Sequence, residues 1–206
     1  MVLQSSAASL ILASASTARA SVLAASGLSF RIHPANVDEP AIRETLANGT
    51  SETTPADVAQ ILAQTKASAI SEISPGALVI GADQVLVCDG EIYEKPADEV
   101  AARDQLLSLR DKTHSLISAV ACARDGAILW HHDQAALLTM RDFSNDFLGQ
   151  YLAAVGHDVT KSVGAYQVEG PGSQLFSRID GDYFTILGIP LLPLLDFLRT
   201  QNIVPE

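Results

Sequence analysis

Ala77-Leu78-Val79-Ile80-Gly81-Ala82-Asp83-Gln84-Val85-Leu86-Val87-Cys88-Asp89-Gly90-Glu91-Ile92-Tyr93 is the stretch that decides the fold. Ala77 to Val87 reads as a strand, apolar almost throughout. Asp89-Gly90 is a two-residue hairpin signal, because both residues tolerate the positive φ angles such a turn needs, and Glu91 to Tyr93 is the returning strand. An antiparallel hairpin therefore stands at this point of the chain, and the segments on either side decide what surrounds it.

Upstream, Thr54-Pro55-Ala56-Asp57 has the N-cap and early-proline signature of a helix start. The helix it opens carries Val58, Ile61, Leu62 and Ile70 on one face, with Lys66 nearby. Ser29 to Ala35 alternates like a strand, and Ser9 to Ser14 is a short apolar run that suits a buried one. Ser16 then caps a helix over Thr17 to Ser26, which stops at Gly27. Downstream, Asp98 to Leu109 is helical, Ser115–Ala123 and Ala127–Met140 form a longer hairpin about Asp125-Gly126, and Ser144 caps a helix ending at Gly156. A Gly170-Pro171-Gly172 loop precedes a last amphipathic helix that Pro190 opens, with Leu191, Leu194, Leu195 and Leu198. Strands alternate with helices and hairpins are present, so the class is α/β with a mixed twisted sheet and flanking helices. No repeat, low-complexity stretch or linker divides the chain. The expectation is a single domain over residues 1–206, with a cleft between two lobes.

Composition narrows the function. A chain of 206 residues buries roughly 70% of the surface its unfolded form exposes, enough to fold without a disulfide or structural metal. The formal net charge of −11 argues against a nucleic-acid surface, which needs clustered Lys and Arg. Any phosphate site must accordingly be locally positive or bridged by a metal. Cys88 and Cys122 have no Cys or His partner at ligand spacing and read as buried, reduced thiols of a cytosolic protein. No apolar run reaches the ~18 residues of a membrane span. Leu10 to Ala15 resembles a short secretory core, but no positive charge precedes Arg19, and a buried first strand explains it better.

Five constellations can carry chemistry. Ser14-Ala15-Ser16, followed by a helix with Arg19 in its first turn, offers hydroxyls, unpaired helix N–H groups and a forked cation to an anion; a capped helix with a surface arginine is the plainer reading. Asp83 is a carboxylate inside an apolar strand, a position that demands a cation, a hydrogen-bond network or a metal. Asp38-Glu39 precedes a proline, as loops and helix starts often do. Lys66 and Lys95 bracket the Asp83 segment in a chain with only 13 basic residues. Gly164-Ala165-Tyr166-Gln167-Val168-Glu169-Gly170 permits close backbone approach to a ligand, and Glu169 could accept hydrogen bonds from a base edge. His131-His132 read as edge residues and Trp130 as core.

Taken in order, Leu12-Ala13-Ser14-x-Ser16-x-x-Arg19, Val37-Asp38-Glu39, Gln64-Thr65-Lys66-Ala67, Gly81-Ala82-Asp83-Gln84, Lys95-Pro96, Gly164-Ala165-Tyr166-x-x-Glu169-Gly170, Asp180-Gly181-Asp182-Tyr183 and Leu187-Gly188-Ile189-Pro190-Leu191 resemble the Maf-like family from about Leu10 to Leu198. The resemblance implies a cytoplasmic, dimeric α/β enzyme, related in fold to the inosine triphosphate pyrophosphatases. It implies that a nucleoside triphosphate is cut to monophosphate and pyrophosphate with a divalent cation, Mg²⁺ or Mn²⁺, and that neither nucleic acid nor membrane is a partner. By position, Asp83 matches the proton acceptor, Ser14, Ser16 and Arg19 the phosphate-binding start, Lys66 and Lys95 the cations on the triphosphate, and Glu39 with Asp83 the metal site. Three departures bear on the base. The usual Ser-Pro-Arg-Arg reads Ser16-Thr17-Ala18-Arg19, Gln84 replaces a Thr, and Glu169 replaces a Gln. Gln84 and Glu169 resemble the 7-methyl-GTP branch rather than the dTTP/UTP branch, but that branch has Trp where Ala18 stands, so the preferred base stays open. A nucleotide-binding regulator of cell division with little turnover, and a plain phosphatase, are the rival readings.

Overall fold

The computed structural model describes Gln4, residues 9–48 and residues 53–205. The elements run β1 (Leu10–Leu12), α1 (Thr17–Ala25), β2 (Arg31–Ile32), α2 (Glu39–Ala47), α3 (Pro55–Glu72), β3 (Leu78–Cys88), β4 (Glu91–Tyr93), α4 (Glu99–Leu109), β5 (Thr113–Arg124), β6 (Ala127–Met140), α5 (Asn145–Val155), β7 (Phe176–Asp180), α6 (Tyr183–Ile186) and α7 (Leu191–Thr200), with three short 3-10 turns between α5 and β7. The strands hydrogen-bond in the order β2-β1-β3-β5-β6-β7, and β4 pairs with β3. β1 is parallel to β2 and β3, whereas β4 and β7 are antiparallel to β3 and β6. The sheet is mixed, as the alternation of signals along the chain requires.

Helix starts follow the sequence closely. Ser16, Asp38, Thr54, Asp98 and Ser144 each accept a backbone N–H from the first turn of the helix they precede, and Thr54 and Asp57 complete a reciprocal capping box. Both two-residue turns have left-handed central residues, Asp89 and Gly90 at φ 53° and 84°, Asp125 and Gly126 at φ 50° and 83°. That is the turn whose twist matches the flanking strands.

Two compact units divide the described residues, each assembled from separated stretches of chain. The first comprises the residues up to Gln84, Ile117–Gln134 and those from Tyr183 onward. β1 and the first half of β3 are buried on both faces. Leu10, Leu12, Leu78, Ile80, Val120 and Cys122 pack with Val22 and Leu23 of α1 and with Leu191, Leu194, Phe197 and Leu198 of α7. Ile11, Ala13 and Val79 pack the other way with Ile70 of α3. Successive residues of one strand thus enter different cores, which is why the run around Val79 is continuously apolar rather than alternating. Trp130 is half-buried and stacks on Phe197 with centroids 5.1 Å apart.

The second unit comprises Val85–Leu116 and Ala135–Asp182. Its centre holds Ala102, Leu106 and Leu109 of α4, Leu148 and Tyr151 of α5, and Tyr166, whose ring meets Phe176 edge-on at 4.8 Å. His114 Nε2 and Tyr166 Oη lie 2.7 Å apart, and Tyr151 Oη donates to the Ala165 carbonyl. β3, β5 and β6 run on from one unit into the other, so no single cut in sequence separates them.

The expected strand over Ser29–Ala35 is reduced to Arg31–Ile32, both residues exposed at a sheet edge. α2, α6 and β7 were not anticipated. Cys88 and Cys122 are buried free thiols. No described helix is long and apolar enough to cross a membrane.

Candidate active site

The site grows from the alternation of β3. Gly81 and Asp83 share the face covered by α3, and Gln84 points the opposite way. A Cβ on Gly81 would sit 2.2 Å from the Ala63 carbonyl oxygen and 2.6 Å from the Ala67 nitrogen, so α3 lies directly on the strand here. The buried stripe Ala59, Ala63 and Ala67 permits that approach. Close packing brings Lys66, one residue before Ala67, over Asp83. Lys66 Nζ donates to Asp83 Oδ1 at 2.7 Å and also reaches Glu39 Oε1 at 2.8 Å. Asp83 is 5% exposed and Lys66 7%, so each buried charge is compensated by the other.

α2 supplies the remaining side of this cluster. Asp38 acts only as its cap, accepting from the Ala41 N–H, whereas Glu39 turns to Lys66. Four residues on, and therefore on the same helical face, Arg43 places a guanidinium nitrogen 3.5 Å from Asp83 Oδ2. Burial pushes the Glu39 carboxyl upward, but the Lys66 hydrogen bond and charge, with Arg43 and Arg19 behind it, hold it below its ordinary value.

The start of α1 completes the group. Ser16 caps the helix at the Arg19 N–H. Ser14, itself buried, accepts from the Ser16 N–H and from Arg19 Nη1, so its own proton is the one it has to give. Arg19 is anchored by its Nε on the Gly188 carbonyl at 2.8 Å and by Nη1 on the Ala82 carbonyl at 2.9 Å. Burial lowers the Arg19 pKa, and the charges of Asp83 and Glu39 oppose that shift. Gly188 adopts φ 95°, and a Cβ there would stand 3.1 Å from Arg19 Nε. Only glycine lets its carbonyl come this close in that conformation.

Of the residues singled out in sequence, Ser14, Ser16, Arg19, Glu39, Lys66 and Asp83 are brought together in the first unit. Arg43 joins them, and the sequence reading missed it because the whole of α2 was missed. The signal was there: an Asp cap at position 38, Pro40 in the first turn and a cation four residues after Glu39. Ala18 is half-buried in the first turn of α1. Gln84 donates its amide to Ser118 Oγ and to the carbonyls of Thr185 and Ile186, tying β3 to α6. Lys95, just after β4, and Glu169 are exposed residues of the second unit.

Electrostatically the cluster sets Arg19, Arg43 and Lys66 against Glu39 and Asp83, a surplus of positive charge inside a chain of net charge −11. Among the described residues no three His, Cys, Asp or Glu side chains converge as a metal cage. Glu39 and Asp83 each give one oxygen to Lys66, and the second Asp83 oxygen faces Arg43 at 3.5 Å. That donor set fits a magnesium-like ion shared with a ligand's phosphates, since such ions take one or two carboxylates and fill the rest with water and phosphate oxygens.

Comparison with known proteins places the chain. A nucleoside triphosphate pyrophosphatase of Paramagnetospirillum magneticum is 57% identical over 192 residues, which are 93% of this chain and 98% of that one. A 7-methyl-GTP pyrophosphatase of Brucella abortus is 52% identical over 195 residues, 95% and 97% of the two chains. Among solved structures, a HAM1 protein from Coxiella burnetii is distantly alike, at 13% identity and TM-score 0.41 over 66% of this chain and 74% of its own. The model of the family described as Maf-like protein matches residues 9–201, from just before β1 to the end of α7. Every element that carries a candidate residue lies inside that match: the chain belongs to the Maf-like protein family.

Proposed function

We propose that the chain is a nucleoside triphosphate pyrophosphatase, a hydrolase that splits the α–β phosphoanhydride and releases a nucleoside monophosphate and pyrophosphate. The observation that carries this reading is a buried carboxylate, Asp83, clasped by Lys66 beside Glu39, Arg43 and Arg19. An acidic protein has little reason to gather three cations at one point unless an anion comes there. The names of two relatives at 57% and 52% identity supply the class of anion.

In this reading Asp83 takes a proton from water as the water oxygen bonds to the α-phosphorus. The bond from that phosphorus to the bridging oxygen breaks, and pyrophosphate leaves. The chain's work is to position the reactants and neutralise charge, as in other phosphoryl chemistry. The α1 N-terminus, with the Ser14 and Ser16 hydroxyls, holds phosphate oxygens. Its dipole adds only about 0.3–1 kcal/mol, whereas each hydrogen bond to a charged group adds roughly 1.5–3 kcal/mol. Side-chain cations therefore outweigh the helix, and Arg19, Lys66 and Lys95 are assigned to the polyphosphate. A divalent cation, Mg²⁺ or Mn²⁺, supplies further neutralisation of the triphosphate, and Glu39 and Asp83 are the residues that would hold it.

Lys95 and Glu169 come to the reading from their motifs. Glu169, Ala18 and Gln84 bear on the base, and they leave it open between 7-methyl-GTP and other nucleotides. The enzyme acts on free nucleotides, as a cytoplasmic homodimer, without nucleic acid or membrane. Assays of dTTP, UTP, CTP and 7-methyl-GTP with Mg²⁺ or Mn²⁺ test the reaction and the preferred base together, because pyrophosphate is the required product. Orthophosphate instead would reject the reaction. Asp83→Asn should bind nucleotide yet lose most turnover, and an unchanged rate would remove Asp83 from the role of base.

A further inference from the structure

We propose that Gln105 is a positioning residue for the nucleotide: its side-chain amide ties the segment that carries Lys95 to the 164–170 loop that carries Glu169, and so sets where both residues stand. The proposal rests on the pyrophosphatase reading, in which Lys95 meets the polyphosphate and Glu169 the base.

The bridge itself is the first argument. Gln105 Nε2 donates to the Glu94 carbonyl at 2.9 Å, and Gln105 Oε1 accepts the Gly164 N–H at 2.7 Å. The two partners belong to motifs far apart in the chain, Lys95-Pro96 and the glycine-bounded loop, and one planar group spans them. An amide suits the task because its nitrogen donates while its oxygen accepts. A glutamate at this point would meet the Gly164 N–H but bring no proton to the Glu94 carbonyl, and a methionine would meet neither.

The second argument is the footing from which Gln105 reaches. It lies on α4 among Ala102, Leu106 and Leu109, each fully buried in the core of the second unit. Three residues on, Ser108 Oγ donates to Tyr93 Oη at 3.3 Å. α4 therefore holds the chain at Tyr93 and again at Glu94, and Pro96 is buried. Lys95 stands between these fixed points, in the place before a proline that disfavours the helical conformation. The direction in which it leaves the backbone is thereby set.

The third argument is the bend at the other end of the bridge. Gly164 and Ala165 are left-handed in succession, at φ 82° and 58°. A Cβ on Gly164 would stand 2.4 Å from the Tyr166 ring and 2.8 Å from Leu86 Cδ1. Such a bend persists only where its surroundings over-determine it. Tyr151 Oη holds the Ala165 carbonyl, and Gln105 holds the Gly164 N–H, coupling the bend to the Lys95 segment. Lys95 and Glu169 are both exposed, so what the amide orients faces solvent.

Kinetics on two variants, with 7-methyl-GTP, dTTP, UTP and CTP, test the role. Gln105→Met keeps the length of the side chain and loses both bonds. It should raise KM for the best nucleotide by roughly 10-fold with kcat changed less than about twofold, and narrow the spread of kcat/KM among the four. Gln105→Glu keeps the bond to Gly164, so it should raise KM for all four by one common factor and leave the spread intact. A merely structural role would lower Tm and kcat without separating the variants in this way. Added to Lys95→Met, Gln105→Glu should raise KM little further, because both act on one contact. Additive losses, or a spread that survives in Gln105→Met, would overturn the proposal. Calorimetric titration with the same nucleotides, metal withheld, reads binding without turnover. If the wild type releases no pyrophosphate from any of them, the pyrophosphatase reading fails. A Kd that still rises about 10-fold in Gln105→Met then leaves the positioning role standing, and an unchanged Kd ends it.

Discussion

Gly81→Ala adds one methyl group at the point where α3 rests on β3, and the structure says what it meets. The new Cβ would lie 2.2 Å from the Ala63 carbonyl oxygen, 2.6 Å from the Ala67 nitrogen and 2.9 Å from the Ala67 Cβ. The two nearest atoms are helix backbone, so no side-chain rotation relieves the clash. Ordinary contact begins near 3.4 Å, which requires α3 to retreat by about 1 Å. Overpacking of this kind costs about 1–3 kcal/mol and sometimes more, and clashes with backbone belong at the upper end. The same retreat stretches the 2.7 Å contact between Lys66 and Asp83 beyond the ~3.2 Å of a sound hydrogen bond. A loss of about 3 kcal/mol lowers Tm by roughly 6–12 °C in a chain of this size. Pyrophosphate release should fall with it. Gly149→Ala is the control: it lies within α5 with nothing inside 4 Å of the added Cβ, and should stabilise by up to about 1 kcal/mol. Urea denaturation and product assays on both variants check the pair. A Gly81→Ala protein that melts like wild type and turns over normally would refute the claim that this contact sets the site.

Lys66→Met leaves Asp83 buried with only the 3.5 Å contact to Arg43, and should destabilise by roughly 3–5 kcal/mol. Adding Asp83→Asn removes the stranded charge, so the double variant should regain much of that loss in urea unfolding. If the single variant loses under about 1 kcal/mol, the pair is not needed for folding. His114, 1% exposed, has its pKa lowered by burial to about 4. The unfolded chain takes up that proton near pH 6.5, so its stabilising contribution is complete above that pH and disappears as pH falls toward 4. The loss approaches about 3 kcal/mol. His114→Gln should flatten stability across that window, and an unchanged slope in the variant would exonerate His114.

The sequence made the strands, caps and hairpins legible because each has a local cause: Ser16 and Thr54 cap with their own hydroxyls, and Asp89-Gly90 and Asp125-Gly126 turn by their own dihedral freedom. Asp83 was legible for a similar reason, since a carboxylate among Val79, Ile80, Val85 and Leu86 must find compensation wherever the chain goes. Which compensation it finds was not legible. Lys66 reaches it only because Gly81 and the Ala63–Ala67 surface allow two backbones to approach, a property of two elements together. α2 was missed because none of its described residues is fully buried and its Glu39 and Arg43 answer a charge cluster, and Arg43 was lost with it. Gln84 illustrates the opposite difficulty. It is adjacent to Asp83 in sequence, yet strand alternation sends its amide to Ser118, Thr185 and Ile186 on the other face.

Charge at long range and at contact pull in opposite directions in this molecule, and that division bears on what it can admit. With 24 acidic and 13 basic residues, the chain as a whole repels anions. At physiological salt such a field is screened beyond about 8 Å, so a ligand small enough to sit within that distance of the cluster feels chiefly Arg19, Arg43 and Lys66. A polymer of phosphates keeps most of its charges beyond that distance while a few reach the cations. The same numbers that argue against nucleic acid are therefore compatible with a free triphosphate. They also make the local surplus fragile: removing one of the three cations leaves Arg19 or Lys66 and one partner to balance Glu39 and Asp83, with nothing over for substrate.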